Sequence, residues 1–290
     1  MTDFAASAVP LTGGYGGQTF AVSAGGEDAV LKFYAKDPER AVVDAALLQL
    51  VRGLLPVPKV LELKREGSYE DPPYLLTERL PGVNLQVFLE TATEDQRRSV
   101  GTQLGELLAR LSGMPFLRSG MFRGGELAIE PFGLGDLTEY IAGLNLDLGD
   151  GFAIVIDEAE DLLAGGVDRV CLVHSDFNPK NLLVDPGTAR ITGLIDWEFS
   201  HAGSPYADLG NLLRFNEDPI LARAVLDPLG GLGLGEPLLD LGRAADLWAL
   251  LDLAARAAEH EVAAAAHRLV SRMADTETLA GGRPGVDVVH

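Results

Sequence analysis

His174-Ser175-Asp176-Phe177-Asn178-Pro179-Lys180-Asn181, followed by Ile195-Asp196-Trp197-Glu198, is the stretch from which the rest of this 290-residue chain is read. The first run has the pattern H-x-D-x-x-x-x-N. The second adds an Asp just after two short apolar runs, 181–185 (NLLVD) and 190–195 (RITGLI), which the alternation predicts to be a hairpin. Asp176 is the type of residue that orients a hydroxyl and takes its proton. Asn181 and Asp196, drawn together by the hairpin, are hard oxygen ligands of the kind Mg²⁺ needs beside phosphates. Either loop alone also fits an Asp or Asn that merely caps a turn. Both together, in order and at short separation, point to phosphoryl transfer from ATP.

Outward from this stretch, the two ends of the chain differ. Residues 17–23 and 29–34 alternate as strands around the Gly pair of AGGED (24–28), and further strands are predicted at 58–64 and 73–79. Between them, Asp37-Pro38 is placed to open a helix that Pro56 and Pro58 end. Leu80-Pro81-Gly82 breaks the pattern. Beyond it helices are predicted at 84–90, 94–112, 134–144 and 152–164, and the remainder from about 205 to 276 is rich in Ala and Leu and helical. The layout predicts an α+β chain with a small antiparallel β-rich part, residues 1–79, and a larger mainly helical part, residues 80–290.

These pieces resemble the aminoglycoside phosphotransferase superfamily, small-molecule relatives of protein kinases, in the family's order from about residue 11 to about 215. Ser175 stands where protein kinases have Arg, and Trp197-Glu198 follows the metal-binding Asp in place of Phe-Gly, both of which favour the small-molecule branch. In HAGSPYADL (201–209), Asp208 resembles the acid that braces the catalytic loop. The resemblance implies a kinase-like fold with residues 1–79 binding nucleotide and residues 80–290 carrying the catalytic loop and acceptor pocket. It implies ATP, with GTP left open, and Mg²⁺ as cofactors. Asp176 is then the catalytic base, and Asn181 and Asp196 are the metal ligands.

The same resemblance assigns the nucleotide contacts. Glycines Gly14, Gly16 and Gly17 in GGYGG (13–17) let backbone amides approach phosphate oxygens, although Thr19 replaces the third Gly of the kinase pattern. Lys32 in AVLKF resembles the strand lysine that holds the α- and β-phosphates, and its partner is expected on the next helix, Asp44 or the competing Glu39. Adenine is expected to bond the carbonyl of Thr77 and the amide of Arg79.

Charge narrows the acceptor. With 23 Lys and Arg against 43 Asp and Glu, the net charge is −20, which disfavours nucleic acid and anionic membranes as partners. Residues 124–170 hold eleven acids and one base, Arg169. Such a stretch suits a cationic small-molecule acceptor, an aminoglycoside or a basic peptide antibiotic, with Asp136, Glu139, Asp157 and Glu198 as candidate acceptor contacts. Most of these acids are expected simply to be solvated. A metabolic kinase for choline, homoserine or a sugar is a second reading of the same fold. A non-catalytic kinase-like binding protein is a third, and it predicts loss of Lys32, Asp176, Asn181 or Asp196, all of which are present. The single Cys171 excludes an internal disulfide and a multi-Cys zinc site, and is expected to pack beneath the catalytic loop. No basic residue precedes Lys32 and no apolar run reaches the roughly 18 residues of a membrane span, so the chain is expected to be soluble and cytoplasmic.

Overall fold

The computed structural model describes residues 8–11, 18–68, 70–133, 137–144, 146, 148–235, 237–283 and 285. In chain order, β1 (Val9–Pro10), β2 (Gln18–Ala24) and β3 (Glu27–Phe33) lead into α1 (Arg40–Val51), and β4 (Val60–Lys64) and β5 (Tyr74–Glu78) follow. Next come β6 (Val83–Asn84), α2 (Leu85–Leu89), α3 (Glu94–Ser112), β7 (Pro115–Phe116), β8 (Gly120–Arg123) and β9 (Ala128–Glu130). Then follow α4 (Leu137–Gly143), α5 (Phe152–Gly165), β10 (Val170–Val173), a 3₁₀ turn (Pro179–Asn181), β11 (Leu182–Asp185), β12 (Arg190–Leu194) and β13 (His201–Gly203). The chain ends in α6 (Ala207–Leu213), α7 (Pro219–Leu226), α8 (Leu238–Ala245), α9 (Leu247–Ala255) and α10 (Glu261–Thr276). The fold is α+β, as the sequence predicts.

Two compact units share these elements. The first comprises the residues up to Ala92 together with Gly120–Glu130 and Pro179–His201. Its main sheet is antiparallel and five-stranded in the order β1-β2-β3-β5-β4. Val22, Ala29, Leu31 and Leu76 form the sheet's own buried cluster, flanked by edge-to-face contacts of Phe33 with Phe20 and Tyr74. Helix α1 packs on β4 and β5, burying Val43, Leu47, Leu48 and Val51. It is shorter than expected at both ends. Glu39 occupies its N-cap without a side-chain hydrogen bond, so the capping Asp37 lies outside the helix. At the other end Gly53, at φ +86°, turns the chain before either proline is reached. The hairpin of β11 and β12 forms as expected and adds β6 to make a three-stranded sheet.

The second unit comprises Thr93–Ser119, Pro131–Asn178 and the residues from Ala202 on, and it is mainly helical. Helix α3 starts at a reciprocal cap: Thr93 Oγ1 accepts from the Gln96 amide, and Gln96 Oε1 accepts from the Thr93 amide. Its face of Val100, Leu104, Leu107, Leu108 and Leu111 is buried. Helix α7 crosses it so closely that a Cβ at Gly105 would stand 2.3 Å from the Val225 carbonyl oxygen. A large cluster gathers Phe152 and Val155 of α5, Leu247, Leu250 and Leu251 of α9, and Leu269, Val270 and Met273 of α10. Strands β7, β8, β9 and β13 were not expected, because two to four residues carry too little alternation to read. Among the described residues no helix is long and apolar enough to cross a membrane.

Candidate active site

In the first unit, β3 carries Lys32 and the turn after β12 carries Asp196 and Glu198. The Lys32 ammonium lies 2.8 Å from Asp196 Oδ1 and 2.9 Å from Glu198 Oε2, with its side chain 14% exposed. Burial works against the charged ammonium. The carboxylates of Asp196, Asp44 and Glu198 outweigh that burial and hold Lys32 above the usual lysine range. Asp196 adopts φ +65°, a left-handed conformation that Asp tolerates better than most residues but that still costs energy. A strained residue at a cluster of facing charges is the pattern of a functional turn. Asn181 ends the 3₁₀ turn, is buried, and its carbonyl oxygen accepts from the Ile195 amide at 2.9 Å.

These donors fit Mg²⁺. Two carboxylates already converge on one cationic centre, and Asn181 is tied by its backbone to the residue preceding Asp196. Among the described residues no group of three or more His, Cys, Asp or Glu is arranged to hold a metal ion.

The expected partner of Lys32 is corrected. Asp44 does project from α1, but its Oδ1 accepts from Arg40 Nε at 2.6 Å and its Oδ2 from the Tyr34 hydroxyl at 2.7 Å. The competing Glu39 caps α1 and is exposed. The ion pairs of Lys32 among the described residues are those with Asp196 and Glu198. The reason is local: Arg40 stands one turn before Asp44 on the same helix and claims its short carboxylate. Glu198, expected at the acceptor, pairs with Lys32, with its side chain 5% exposed.

The adenine contacts are also turned from their expected direction. The Arg79 amide donates to the Asp28 carbonyl at 3.2 Å, and Thr77 pairs with Val30 across β3 and β5. Backbone groups alternate sides along a strand, so the Thr77 carbonyl and Arg79 amide both face β3. The predicted Gly14, Gly16, Gly17 and Asp136 lie outside the described residues.

In the second unit, β10 delivers the catalytic loop. Asp208, at the start of α6, is buried and accepts the amides of His174 (Oδ2, 2.8 Å) and Ser175 (Oδ1, 2.8 Å), so it braces the loop as the resemblance implies. Burial raises its pKa to about 7, against the two amides, which lower it. Ser175, whose amide Asp208 accepts, sits at φ +69°. Asp176 Oδ1 accepts from Asn178 Nδ2 at 2.5 Å, and the Asp176 amide donates to His174 Nδ1 at 3.3 Å. Asn178 also reaches Asn211 Oδ1 at 3.4 Å. Beneath the loop Cys171 is buried, which pushes its thiol up to about 12 and makes it a packing residue. Glu139 on α4 and Asp157 on α5 are exposed. Two of the eleven acids serve structure instead: Glu130 pairs with Arg123 at 2.6 Å, and Glu158 accepts the Leu279 amide at 2.8 Å.

Three residues with roles near these sites escape a reading of the sequence. Arg40 pairs with Asp44 at i,i+4 on α1 and reaches further, to the carbonyl oxygens of Trp197 (2.5 Å) and Ser200 (3.4 Å). Arg214 and Asp246 form a buried bidentate pair, at 2.7 and 2.6 Å, from positions 32 residues apart that carry no local pattern.

Residues 7–231 match the family model described as "Phosphotransferase enzyme family". The chain is 31% identical to an aminoglycoside 3'-phosphotransferase of Streptomyces fradiae over 220 residues, which cover 67% of this chain and 76% of that one. It is 27% identical to viomycin phosphotransferase of Streptomyces vinaceus, over 67% of each. Among solved structures, a thermostable mutant of aminoglycoside phosphotransferase APH(4)-Ia in complex with ADP and hygromycin B superposes with a TM-score of 0.69 at 20% identity, covering 96% of this chain and 95% of that one. The GDP complex of an aminoglycoside 2'-phosphotransferase-IIIa mutant gives 0.62 at 18% identity, covering 95% and 93%.

Proposed function

The chain belongs to the phosphotransferase enzyme family, and on that premise we propose that it is an ATP-dependent, Mg²⁺-requiring kinase of a hydroxyl-bearing cationic antibiotic, an aminoglycoside or a basic peptide antibiotic, and confers resistance to it. The observation that carries the reading is the meeting of Lys32 and Asp196, 164 residues apart, at 2.8 Å. A phosphate-binding ammonium and a metal-binding carboxylate are the two groups that must attend the same triphosphate. We assign nucleotide binding to residues 1–79 and acceptor binding to residues 80–290.

Each residue has a definite task. Lys32 neutralises phosphate oxygens. Asn181 and Asp196 would hold Mg²⁺, which when bound spreads the negative charge of the phosphates. Glycines Gly14, Gly16 and Gly17 are assigned to phosphate approach. The backbone of Glu78 and Leu80, alternating with the groups that face β3, is assigned to the adenine edge. Asp176 takes the proton of the acceptor hydroxyl, its carboxylate fixed by Asn178. Positioning does most of the work, because the transferring phosphoryl asks little covalent help of the protein.

The charge of −20 and the acid-rich 124–170 segment support a cationic acceptor, and so do the names of the aminoglycoside and viomycin relatives. Asp136, Glu139 and Asp157 are the proposed acceptor contacts. The test is an ADP-release screen over aminoglycosides, basic peptide antibiotics, choline, homoserine and sugars. Turnover of a cationic antibiotic above all neutral alcohols is expected. Preference for a neutral or anionic alcohol would overturn the antibiotic assignment and leave the kinase assignment standing.

A further inference from the structure

Two carboxylates form ion pairs with Lys32, and both come from one turn, Asp196 and Glu198. The acid that α1 offers is otherwise engaged. Asp44 is 3% exposed, with Oδ1 on Arg40 and Oδ2 on the Tyr34 hydroxyl. Arg40 is 7% exposed and spends its remaining donors on the carbonyl oxygens of Trp197 and Ser200, the residues that bracket Glu198. Helix α1 therefore grips the 197–200 turn, and the turn grips the strand lysine. With two acids on Lys32, Asp196 can be withdrawn without leaving a mostly buried ammonium unpaired.

We propose that Glu198 is the residue that orients Lys32 toward nucleotide phosphate, in the role expected of an acid on α1, and that Asp44 and Arg40 anchor the turn that carries Glu198. Glu198, Arg40 and Asp44 are positioning residues in this arrangement. The inference rests on reading Lys32 as a phosphate ligand. On α1 the Asp44 carboxylate makes its hydrogen bonds to Arg40 and Tyr34, whereas Glu198 reaches Lys32 from the turn.

The experiment measures ATP binding without turnover, by equilibrium dialysis in EDTA, for wild type, Lys32→Met, Glu198→Gln, Glu198→Asp and Asp44→Asn. It is paired with peptide-mapped labelling of Lys32 by an amine-reactive reagent in the absence of nucleotide. Glu198→Gln is expected to weaken ATP binding about tenfold, the size of one lost charge-assisted hydrogen bond, and to accelerate labelling of Lys32. Added to Lys32→Met, it should cost no further affinity. Glu198→Asp should recover part of the loss. Asp44→Asn should lower thermal stability, but below its unfolding onset it should cost less ATP affinity and expose Lys32 less than Glu198→Gln does. Wild-type affinity and labelling in Glu198→Gln would overturn the proposal, and so would a larger effect of Asp44→Asn on both. The Glu198→Gln results decide alone if Asp44→Asn does not fold. A wild type that binds no ATP would instead defeat the phosphotransferase reading, and the labelling rates would still show whether Glu198 holds Lys32.

Discussion

The carbonyl oxygen of Asn181 accepts a hydrogen bond from the amide of Ile195 at 2.9 Å. This one backbone bond closes the open end of the β11–β12 hairpin, where the two proposed metal ligands, Asn181 and Asp196, flank its two strands. Side-chain substitutions at either residue leave it in place, so metal chemistry can be altered at this hairpin without disturbing its fold.

Asp196→Asn should abolish Mg²⁺-dependent turnover while the thermal midpoint stays near that of the wild type. Asn tolerates the left-handed backbone at φ +65°, so the turn survives while the charge is lost. Asn181→Ala should be milder, because only a neutral oxygen is removed. ADP-release rates across a Mg²⁺ titration, with a melting curve for each variant, check both. Wild-type turnover in Asp196→Asn would refute the ligand assignment.

Asp208 makes stability depend on pH. Its folded pKa of about 7 lies above the ordinary value of 3.8, so between these values the folded chain binds more protons than the unfolded chain. Its contribution is therefore fully present below pH 3.8 and is lost as the pH rises through 7. Asp208→Asn removes this titration. Denaturant unfolding at about pH 5 and about pH 8, on either side of the folded pKa, should show a smaller loss of stability between the two in the variant than in the wild type. The variant should also lose activity, since an amide side chain accepts from only one of the His174 and Ser175 amides.

Asp246→Ala leaves the Arg214 guanidinium buried without its bidentate partner. Removing one half of a buried pair costs about 3–5 kcal/mol. Urea unfolding should register that loss, while the KM for ATP of the folded fraction is unchanged.

Acceptor binding should respond to salt. If carboxylates hold a cationic acceptor, its KM should rise between low and physiological ionic strength while kcat moves less, because screening acts on exposed charge pairs. Neutralising Glu139 or Asp157, both exposed, should raise acceptor KM more than ATP KM. A salt-independent acceptor KM would count against the acidic pocket.

What the sequence determined by itself is what short-range pattern can carry. The H-x-D-x-x-x-x-N run, the hairpin behind Asp196 and the helix over 94–112 all rest on spacings of a few residues that set local geometry. The α+β division came from alternation giving way to a helical period. Which charged groups meet depended on the tertiary structure. Asp44 and Glu198 are both acids near the lysine strand, and only packing shows that Arg40 takes the first and leaves Lys32 to the second. The direction of the Thr77 and Arg79 backbone groups likewise depends on the register between β3 and β5, and a slip of one residue would reverse it without any change of composition. Coulomb partners are fixed by distances of a few ångströms between elements far apart in the chain, and no local pattern records those distances.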